Sequence, residues 1–575
     1  MRVLFAFFWS WALLGAAPAA AQTVVTGPRG ERFARRVVAE KLSDPWEVTY
    51  GPDQHLWVTE ARGYRVRRVD PATGASRVLL DLRSERQFPR YDRLPDSLDG
   101  GKPWPQGGLM GLALHPQLLA GKPYVYLAYI YRYAGAGRPG KGGAPNFGGQ
   151  FFTARLVRYE YDAAAQTLSR PAVLCDTVPA SNDHNAGRLL VAPVAGRDYL
   201  FYAVGDLGAG QFDNGGRPNH AQHPGRYEGK VLRFNLEPDA DAGPFDRWIP
   251  NDNPFQTPPR QNAVWSLGHR NPQGLAYAVV GGTGRLYASE HGPFSDDEIN
   301  LLEPGKNYGH PLVIGLADGN YDGLAAAASA HATLPGPWHT TYPTIGREQA
   351  NAAALGAAYR NPLVSLYPLS REFLVTVLAR QRDASPDEPT WHAEAPSSLD
   401  VYSAAAIPGW QPSLLVPSLK QGHLLRLKLT ADGRGVAPDT LTYFRAPVRY
   451  RDLAVSPDGT RLYLATDSTA VTSGPSAAAP QGTTCQGCVL EFRYLGGGST
   501  AEAAPPPPAT PEQALQKLRA WAKAMPPKDQ RVKRAGLPPA QQPVFDLLFK
   551  PAPTAADQAR LRQNAPALLG ALRQQ

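Results

Sequence analysis

A unit consisting of a Pro/Asp/Gly turn, a short β-rich strand, and an acidic or small polar residue at the strand's end recurs along this chain. It limits the possible folds more than any other feature. Its clearest copies are Gly51-Pro52-Asp53-Gln54-His55-Leu56-Trp57-Val58-Thr59-Glu60 and Ser456-Pro457-Asp458-Gly459-Thr460-Arg461-Leu462-Tyr463-Leu464-Ala465-Thr466-Asp467. Degenerate copies run over Tyr199–Asp206, Gly284–Glu290 and Lys122–Tyr129. Helical periodicity is scarce between residues 35 and 495, and the 56 glycines and 57 prolines suit short strands closed by turns. Repeated strand–turn units predict an all-β chain arranged as a radial β-propeller. Simple blades take roughly 40–50 residues, so a core of about 460 residues overfills a propeller and implies long loop insertions. Arg83–Lys102, Tyr133–Gln150, Asn214–Gly225 and Gly323–Thr344 are the Gly/Pro-rich candidates. Such loops are where a propeller would build a site, although each is equally compatible with a tolerated surface insertion.

The ends of the chain differ from this core. Met1-Arg2, an apolar stretch from Val3 to about Ala17, and Ala19-Ala20-Ala21 before Gln22 form a secretory signal peptide over residues 1–21. No later stretch is long and apolar enough to span a bilayer, so a soluble, exported protein (periplasmic or secreted) is expected. Residues 22–497 form the propeller unit, and a Gly/Pro-rich linker over 498–510 contains Pro505–Pro508. Residues 511–575 then read as a basic helical extension. Thr510-Pro511-Glu512 resembles a helix start, with Leu515, Leu518, Ala522 and Met525 on one stripe and Val544, Phe545, Leu548 and Phe549 on a second. That tail packs on itself or on the propeller, or else docks an anionic surface or acidic electron acceptor.

Charge and cysteine content exclude several function classes. Of the net charge of +9, residues 501–575 hold +6, and the mature core is left at about +2. Nucleic-acid binding across the core has no electrostatic support. Cys485-Gln486-Gly487-Cys488 is the only close cysteine pair. An exported compartment favours a local disulfide there, and a redox-active pair is the alternative. Val489 follows Cys488, so no c-type haem attachment motif is present.

The chemistry concentrates in Leu267-Gly268-His269-Arg270-Asn271-Pro272-Gln273-Gly274 and Gly292-Pro293-Phe294-Ser295-Asp296-Asp297-Glu298-Ile299-Asn300. Arg270 supplies a permanent positive charge on a planar donor fork. Asp296, Asp297 and Glu298, with the carbonyls of a Gly-Pro turn, are oxygen ligands of the kind Ca²⁺ prefers. An oxyanionic cofactor held jointly by metal and arginine would use both. On these motifs the chain resembles the soluble pyrroloquinoline quinone (PQQ)-dependent glucose dehydrogenases and their sugar-dehydrogenase relatives. The resemblance extends over approximately residues 33–495 and implies six blades, PQQ and Ca²⁺ as cofactors, and an aldose as the small-molecule substrate. It also implies an external electron acceptor, with a homodimer as a possible assembly.

Oxidising a sugar hydroxyl to a lactone requires a base, an electron sink and groups to hold that sink. His184, in Ser181-Asn182-Asp183-His184-Asn185, has an imidazole suited to accept a proton near neutrality. The resemblance implies that Asp206 orients it, in the familiar carboxylate–imidazole arrangement. A turn cap or a bond that closes a blade are the alternative roles for Asp206. Lys420, Arg449 and Arg451 are assigned by resemblance to the cofactor carboxylates. Arg449 and Arg451 alternate on a strand and so share a face, and an anion or an acid such as Asp452 is expected between them. Arg270 and Asn271 would lie near the quinone oxygens and stabilise developing negative charge. The resemblance gives Ca²⁺ the carbonyls of Gly292 and Pro293. A further Ca²⁺ cluster would use Glu298, Tyr308 and Asp318 with the carbonyls of Ile314 and Leu316. Gln106, Asp183 and Trp391 fall where the family contacts substrate, whereas the loop Arg380–Thr390 and residues 323–355 depart from the family's pattern.

Two other function classes fit a propeller. A Ca²⁺-dependent lactonase-type hydrolase would also use central carboxylates and a metal, but would not require Lys420, Arg449 and Arg451 to converge. A non-catalytic sugar- or protein-binding propeller would not require an intact base and cation set.

Overall fold

Short strands separated by turns assemble into six antiparallel sheets. Strand β1 (Thr23–Thr26) and β2 (Arg32–Ala39) come first and are set aside for the closing blade. The first blade holds β3 (Pro45–Tyr50), β4 (Leu56–Glu60), β5 (Arg65–Val69) and β6 (Ser76–Asp81). The second holds β7 (Leu109–Leu114), β8 (Tyr124–Arg132), β9 (Phe152–Asp162) and β10 (Thr167–Ala180). Strands β11 (Ala186–Val194), β12 (Arg197–Val204), β13 (Lys230–Asn235) and β14 (Val264–Leu267) make the third. The fourth is β15 (Pro272–Val280), β16 (Thr283–Glu290), β17 (Asp297–Leu302) and β18 (Val364–Leu366). The fifth is β19 (Asp400–Tyr402), β20 (Ser413–Pro417), β21 (Leu424–Leu429) and β22 (Val436–Tyr443). The last blade combines β23 (Tyr450–Val455), β24 (Arg461–Thr466) and β25 (Val489–Tyr494) with β2 and β1.

The molecule is therefore a six-bladed β-propeller, seen here in a computed structural model. The model describes residues 23–83, 106–132, 151–211, 214, 216–243, 245–257, 261–326, 342–382, 393–467, 485–498, 511–524, 534, 537 and 541–573. The expected signal peptide, Trp391, Met525, residues 133–150 and 499–510, and most of the loops 83–102 and 323–344 lie outside the described residues. The ring is closed by β2, which pairs antiparallel with β25 from Phe33↔Tyr494 onward. An N-terminal strand thus covers the edge that the chain's last core strand would otherwise expose.

The recurring sequence unit is the second strand of a blade wherever it was recognised, in β4, β8, β12, β16 and β24. Its terminal acids therefore arrive at one face of the propeller, namely Glu60, Asp206, Glu290 and Asp467. Each holds cations or imidazoles there: Glu60 takes Arg65 and Arg67, Asp206 takes His184, Glu290 takes His269, and Asp467 takes Arg449 and Arg451.

The innermost strands β3, β7, β11, β15, β19 and β23 touch their neighbours around a complete circuit. On that axis lies Arg188 of β11, 3% exposed. Its guanidinium binds Glu47 (2.6 Å) and Asp452 (3.1 Å) and donates to the carbonyls of Gln273 (2.9 Å) and Ser397 (3.1 Å). It also lies 4.2 Å from the Trp46 ring centroid. Glu47 itself accepts from Leu112 N at 3.5 Å, and Asp452 from Val48 N at 2.6 Å. Side chains or backbone from all six blades thus meet around one guanidinium. Apolar side chains fill the spaces between blades, as where Trp57 of the first packs edge-on to Tyr161 of the second at 4.9 Å. Each fully buried side chain of this size contributes about 1.5–3 kcal/mol.

Long insertions carry two helices. α1 (Glu348–Leu355) lies between β17 and β18, and α2 (Arg371–Arg382) between β18 and β19. The alanine-rich stretch Asn351–Leu355 suits α1, because alanine loses the least side-chain freedom in a helix. Past the propeller, α3 (Pro511–Ala524), α4 (Gln542–Asp546) and α5 (Ala555–Arg573) surround a core of their own that includes Leu515, Leu518, Val544, Phe545, Leu561 and Leu568. Among the described residues no helix is long and apolar enough to cross a membrane.

Candidate active site

The site is built where the third and fourth blades meet. Strand β12 ends at Val204, and the turn Gly205-Asp206 then passes between two neighbouring segments. A Cβ on Gly205 would come within 2.0 Å of the His184 carbonyl oxygen and 3.2 Å of that of Arg270, so only glycine fits. Asp206 N–H donates to the Arg270 carbonyl (2.7 Å) and Leu207 N–H to that of His184 (3.3 Å). This turn therefore fixes the separation of the two residues that the sequence placed at the centre of the chemistry.

His184 Nδ1 lies 2.8 Å from Asp206 Oδ1. An ionised carboxylate only accepts, so the imidazole carries its proton on Nδ1 and has its lone pair on Nε2. Asp206 is completely buried, yet it also receives Gly208 N–H (2.9 Å), Asn219 Nδ2 (3.1 Å), His310 Nε2 (2.9 Å) and the Tyr342 hydroxyl (2.5 Å). Burial alone would raise its pKa. The electrostatic pull and N–H of the His184 imidazole, with the N–H of His310, outweigh that and hold it well below the usual carboxylate range.

Gln211 links the base to the cation. Its Nε2 is 3.1 Å from His184 Nε2 and 3.3 Å from Asp183 Oδ2, and its Oε1 accepts from Arg270 Nη2 at 3.0 Å. Arg270 continues through Nη1 to the carbonyls of Gly292 (2.9 Å) and His291 (3.3 Å), while its backbone N–H is held by Glu290. Glu290 also takes His269 Nδ1 at 2.8 Å, and His269 stacks on Tyr308 at 4.8 Å. Arg270 Nε and Asn271 Nδ2 are both buried without a hydrogen-bond partner. Two orphaned donors side by side are costly unless an acceptor fills the space. Gln106 joins this group through its backbone, which bonds Asn182 (2.9 Å) and Asn185 (2.8 Å).

Arg449 and Arg451 do share a face, but the acid between them differs from the expectation. Asp467 binds Arg449 Nε (3.0 Å) and Arg451 Nε and Nη2 (2.8 Å each). Asp452 points instead to the axis and pairs with Arg188, and the strand's register is irregular between Tyr450 and Asp452. Two guanidiniums on one carboxylate leave that trio with one formal positive charge, which Asp44, facing the same cleft, offsets. That cleft is lined by Trp46, Gln106, Asn185, Gln273, Arg451 and Asp467, among others. The turn at Cys485–Cys488, joined by a disulfide, grips the neighbouring Thr466, whose hydroxyl donates to Cys485 O (3.0 Å) and accepts Cys488 N–H (3.0 Å). Lys420 stands beside the segment that carries Glu394 and Ala395, where burial pulls its ammonium down to about 8 against the opposing charge of Asp297.

The acidic turn behaves differently from its sequence reading. Asp297 is consumed by the N–H groups of Gly292, Glu394 and Ala395, and Asp296 by Ser295, Ser365 and Asn320. Neither side chain is turned to the cleft. Glu298 accepts from Gly315 N–H and Asn300 (2.9 Å each), and Asp318 from Asn320 N–H (3.1 Å). The Tyr308 hydroxyl is spent on Leu301 O and Glu303 N–H, leaving only its carbonyl for a ligand role. Glu348 of α1, not singled out by sequence, grips Ile314 and Gly319 through their N–H groups. Burial pushes Asp296 and Asp297 up to about 6, Glu348 to about 7, and Glu298 well above its ordinary value. Buried oxygen donors short of positive charge suit a hard divalent cation. Among the described residues, however, no three His, Cys, Asp or Glu groups converge as a metal site, so a cation here would draw on backbone carbonyls.

Of the predicted positions, the structure gathers His184, Asp183, Asp206, Arg270, Asn271 and Gln106 closely, with Lys420 on the fifth blade and Arg449 and Arg451 on the sixth, from which Arg451 reaches Gln273 of the fourth at 2.9 Å. Gln211, His291, His310, Tyr342 and Asp467 were not anticipated. Asp467 had a signal, since it ends a copy of the recurring unit. The others come from insertions and turns with no local pattern.

Comparisons with known proteins agree with this fold and identify its family. The glucose/sorbosone dehydrogenase family model matches residues 42–382 and 350–472. Quinoprotein glucose dehydrogenase B of Acinetobacter calcoaceticus is 32% identical over 488 residues, covering 81% of this chain and 92% of its own. Aldose sugar dehydrogenase YliI of Escherichia coli is 26% identical over 436 residues, covering 75% and 89%. The structure of the PQQ-bound form of aldose sugar dehydrogenase from Streptomyces coelicolor shares the fold, with a TM-score of 0.50 at 22% identity over 83% of this chain and 100% of that one.

Proposed function

The chain belongs to the glucose/sorbosone dehydrogenase family of oxidoreductases, and from that membership and the geometry around His184 we propose an exported quinoprotein that oxidises the C1 hydroxyl of an aldose to a lactone. Membership in a dehydrogenase family sets aside the lactonase-type and binding-only readings. The observation that carries the proposal is the His184–Asp206 pair facing Arg270 and Asn271, whose buried Nε and Nδ2 await an acceptor.

Bound PQQ would supply an electrophilic ortho-quinone that accepts the hydride from the sugar. Its carboxylates would be held by Lys420, Arg449 and Arg451, and its quinone oxygens by Arg270 and Asn271. These are charged or amide donors fixed in advance where negative charge grows, which is the arrangement that stabilises such charge most effectively. Ca²⁺ would rest on the carbonyls of Gly292 and Pro293, and a further Ca²⁺ cluster would draw on Glu298, Asp318, Tyr308, Ile314 and Leu316, with Glu348 beside them. His184 Nε2 takes the hydroxyl proton, and Asp206 stabilises the imidazolium through Nδ1–H. Gln211 must yield Nε2 as substrate enters, and its bonds to Asp183 and Arg270 give it an alternative hold. Gln106, Asp183 and Trp391 would contact the sugar. Electrons would leave to an external quinone, cytochrome or dye, and residues 1–21 would direct the protein across the membrane.

The test is reconstitution with PQQ and Ca²⁺ followed by a panel of aldoses and a bleachable dye acceptor. Aldose-dependent bleaching is expected, and silence across the panel would remove the proposal.

A further inference from the structure

Asp206 serves two imidazoles. His184 Nδ1 occupies Oδ1 at 2.8 Å, and His310 Nε2 occupies Oδ2 at 2.9 Å, next to Asn219 Nδ2 at 3.1 Å and the Tyr342 hydroxyl. His310 and Tyr342 both come from the long insertion between β17 and β18, and their rings meet edge-on at 5.4 Å and 85°. The His310 backbone is pinned to the site as well, its N–H donating to Gly268 O (3.0 Å) and its carbonyl accepting from Gln222 Nε2 (2.7 Å). The ring is 4% exposed, and its Nδ1 is buried without a hydrogen-bond partner. A residue kept only to fill space would be better served by phenylalanine, which has no polar atom to strand. What the imidazole adds is one directed N–H on Asp206.

We propose that His310, assisted by Tyr342, is a positioning residue for the reaction: by saturating Oδ2 it leaves Oδ1 to the imidazole of His184 beside the Gly208 N–H, fixing the Nδ1–H tautomer with the Nε2 lone pair turned to Gln211. Both side chains donate to Oδ2, His310 through Nε2–H and Tyr342 through its hydroxyl. The other polar groups facing His184 are Asp183, Gln211, Arg270 and His291, and none of them touches Oδ2. This inference rests on reading His184 as the base.

Three variants test it: His310→Phe removes the donor, Tyr342→Phe removes its neighbour, and His310→Gln restores an N–H near the Nε2 position. Two readouts are taken on full-length protein. One is the low-field proton resonance of His184 Nδ1–H in ¹⁵N-histidine-labelled protein without cofactor. The other is kcat and KM with an aldose after loading with PQQ and Ca²⁺. His310→Phe should shift or broaden that resonance and lower kcat by about 10–100-fold, the scale of one lost charge-assisted hydrogen bond, with KM changed by less than about threefold. His310→Gln should restore the resonance and recover most of kcat. An unchanged resonance in the Phe variant, or equal losses in the Gln and Phe variants, would overturn the proposal. If the parent protein oxidises no aldose, the functional reading fails, while the resonance still decides what His310 does to Asp206.

Discussion

Replacing Arg188 with methionine removes the guanidinium on which all six blades converge while keeping most of its aliphatic volume. Asp452, 1% exposed, would lose its cation, and breaking a buried pair in this way costs about 3–5 kcal/mol. The carbonyls of Gln273 and Ser397 would each lose a charged donor, at about 1–3 kcal/mol apiece if water does not replace it. The contact with Trp46 is worth about 1–2 kcal/mol. These terms overlap, because Glu47 retains a proton into neutral pH and can turn it toward Asp452. A net loss of roughly 4–8 kcal/mol follows, a large part of the 5–15 kcal/mol that holds a typical protein folded. Guanidinium unfolding followed by tryptophan fluorescence should show a transition moved far toward low denaturant. Adding Asp452→Asn should recover at least about 2 kcal/mol by removing the stranded charge. A single variant within about 1 kcal/mol of the parent, or a double variant no better than the single, would refute the hub.

Other consequences can be checked more simply. His184→Ala should depress turnover by about 10²–10⁴-fold, the scale of a lost general base, with PQQ still retained in equilibrium dialysis; a loss under tenfold would point to another base. Lys420→Ala should weaken PQQ retention by about 1.5–3 kcal/mol, as for other charged contacts. In the parent protein Lys420 loses its charge above about 8, so calorimetry should show PQQ affinity falling, and proton uptake on binding rising, as pH increases through that value. Burial, opposed by Arg188, lifts Glu47 to about 8 from an ordinary 4.5. Its stabilising contribution is therefore complete below about 4.5 and lost as pH rises through about 8. Glu47→Gln should gain on the parent in melting temperature as pH rises from about 5 to 8, and parallel curves across that window would contradict the assignment.

The fold was legible because a propeller repeats. Copies of one strand–turn unit mark the second strand of successive blades, and period-two burial places their terminal acids on one face without reference to anything distant. His184, Asp206 and Arg270 were legible for a related reason, since they sit in motifs whose spacing is local. Asp452 was misassigned because sequence shows that two arginines need an acid but not which acid the folded strands bring to them. Asp467 does that work from the next strand, and Asp452 faces the axis.

The sequence by itself thus determined the class of the fold and the type of its chemistry, because these follow from side-chain character and short-range periodicity. Only the tertiary structure decided which groups share an atom. Asp206 divides its two oxygens between His184 and His310, residues 126 positions apart. Gln211 bridges base and cation, and the Asp296 and Asp297 carboxylates expected at a metal are spent on hydroxyl, amide and backbone N–H donors. Such pairings depend on where long insertions return to the ring, and closure of the blades sets that geometry, not any local preference of the chain.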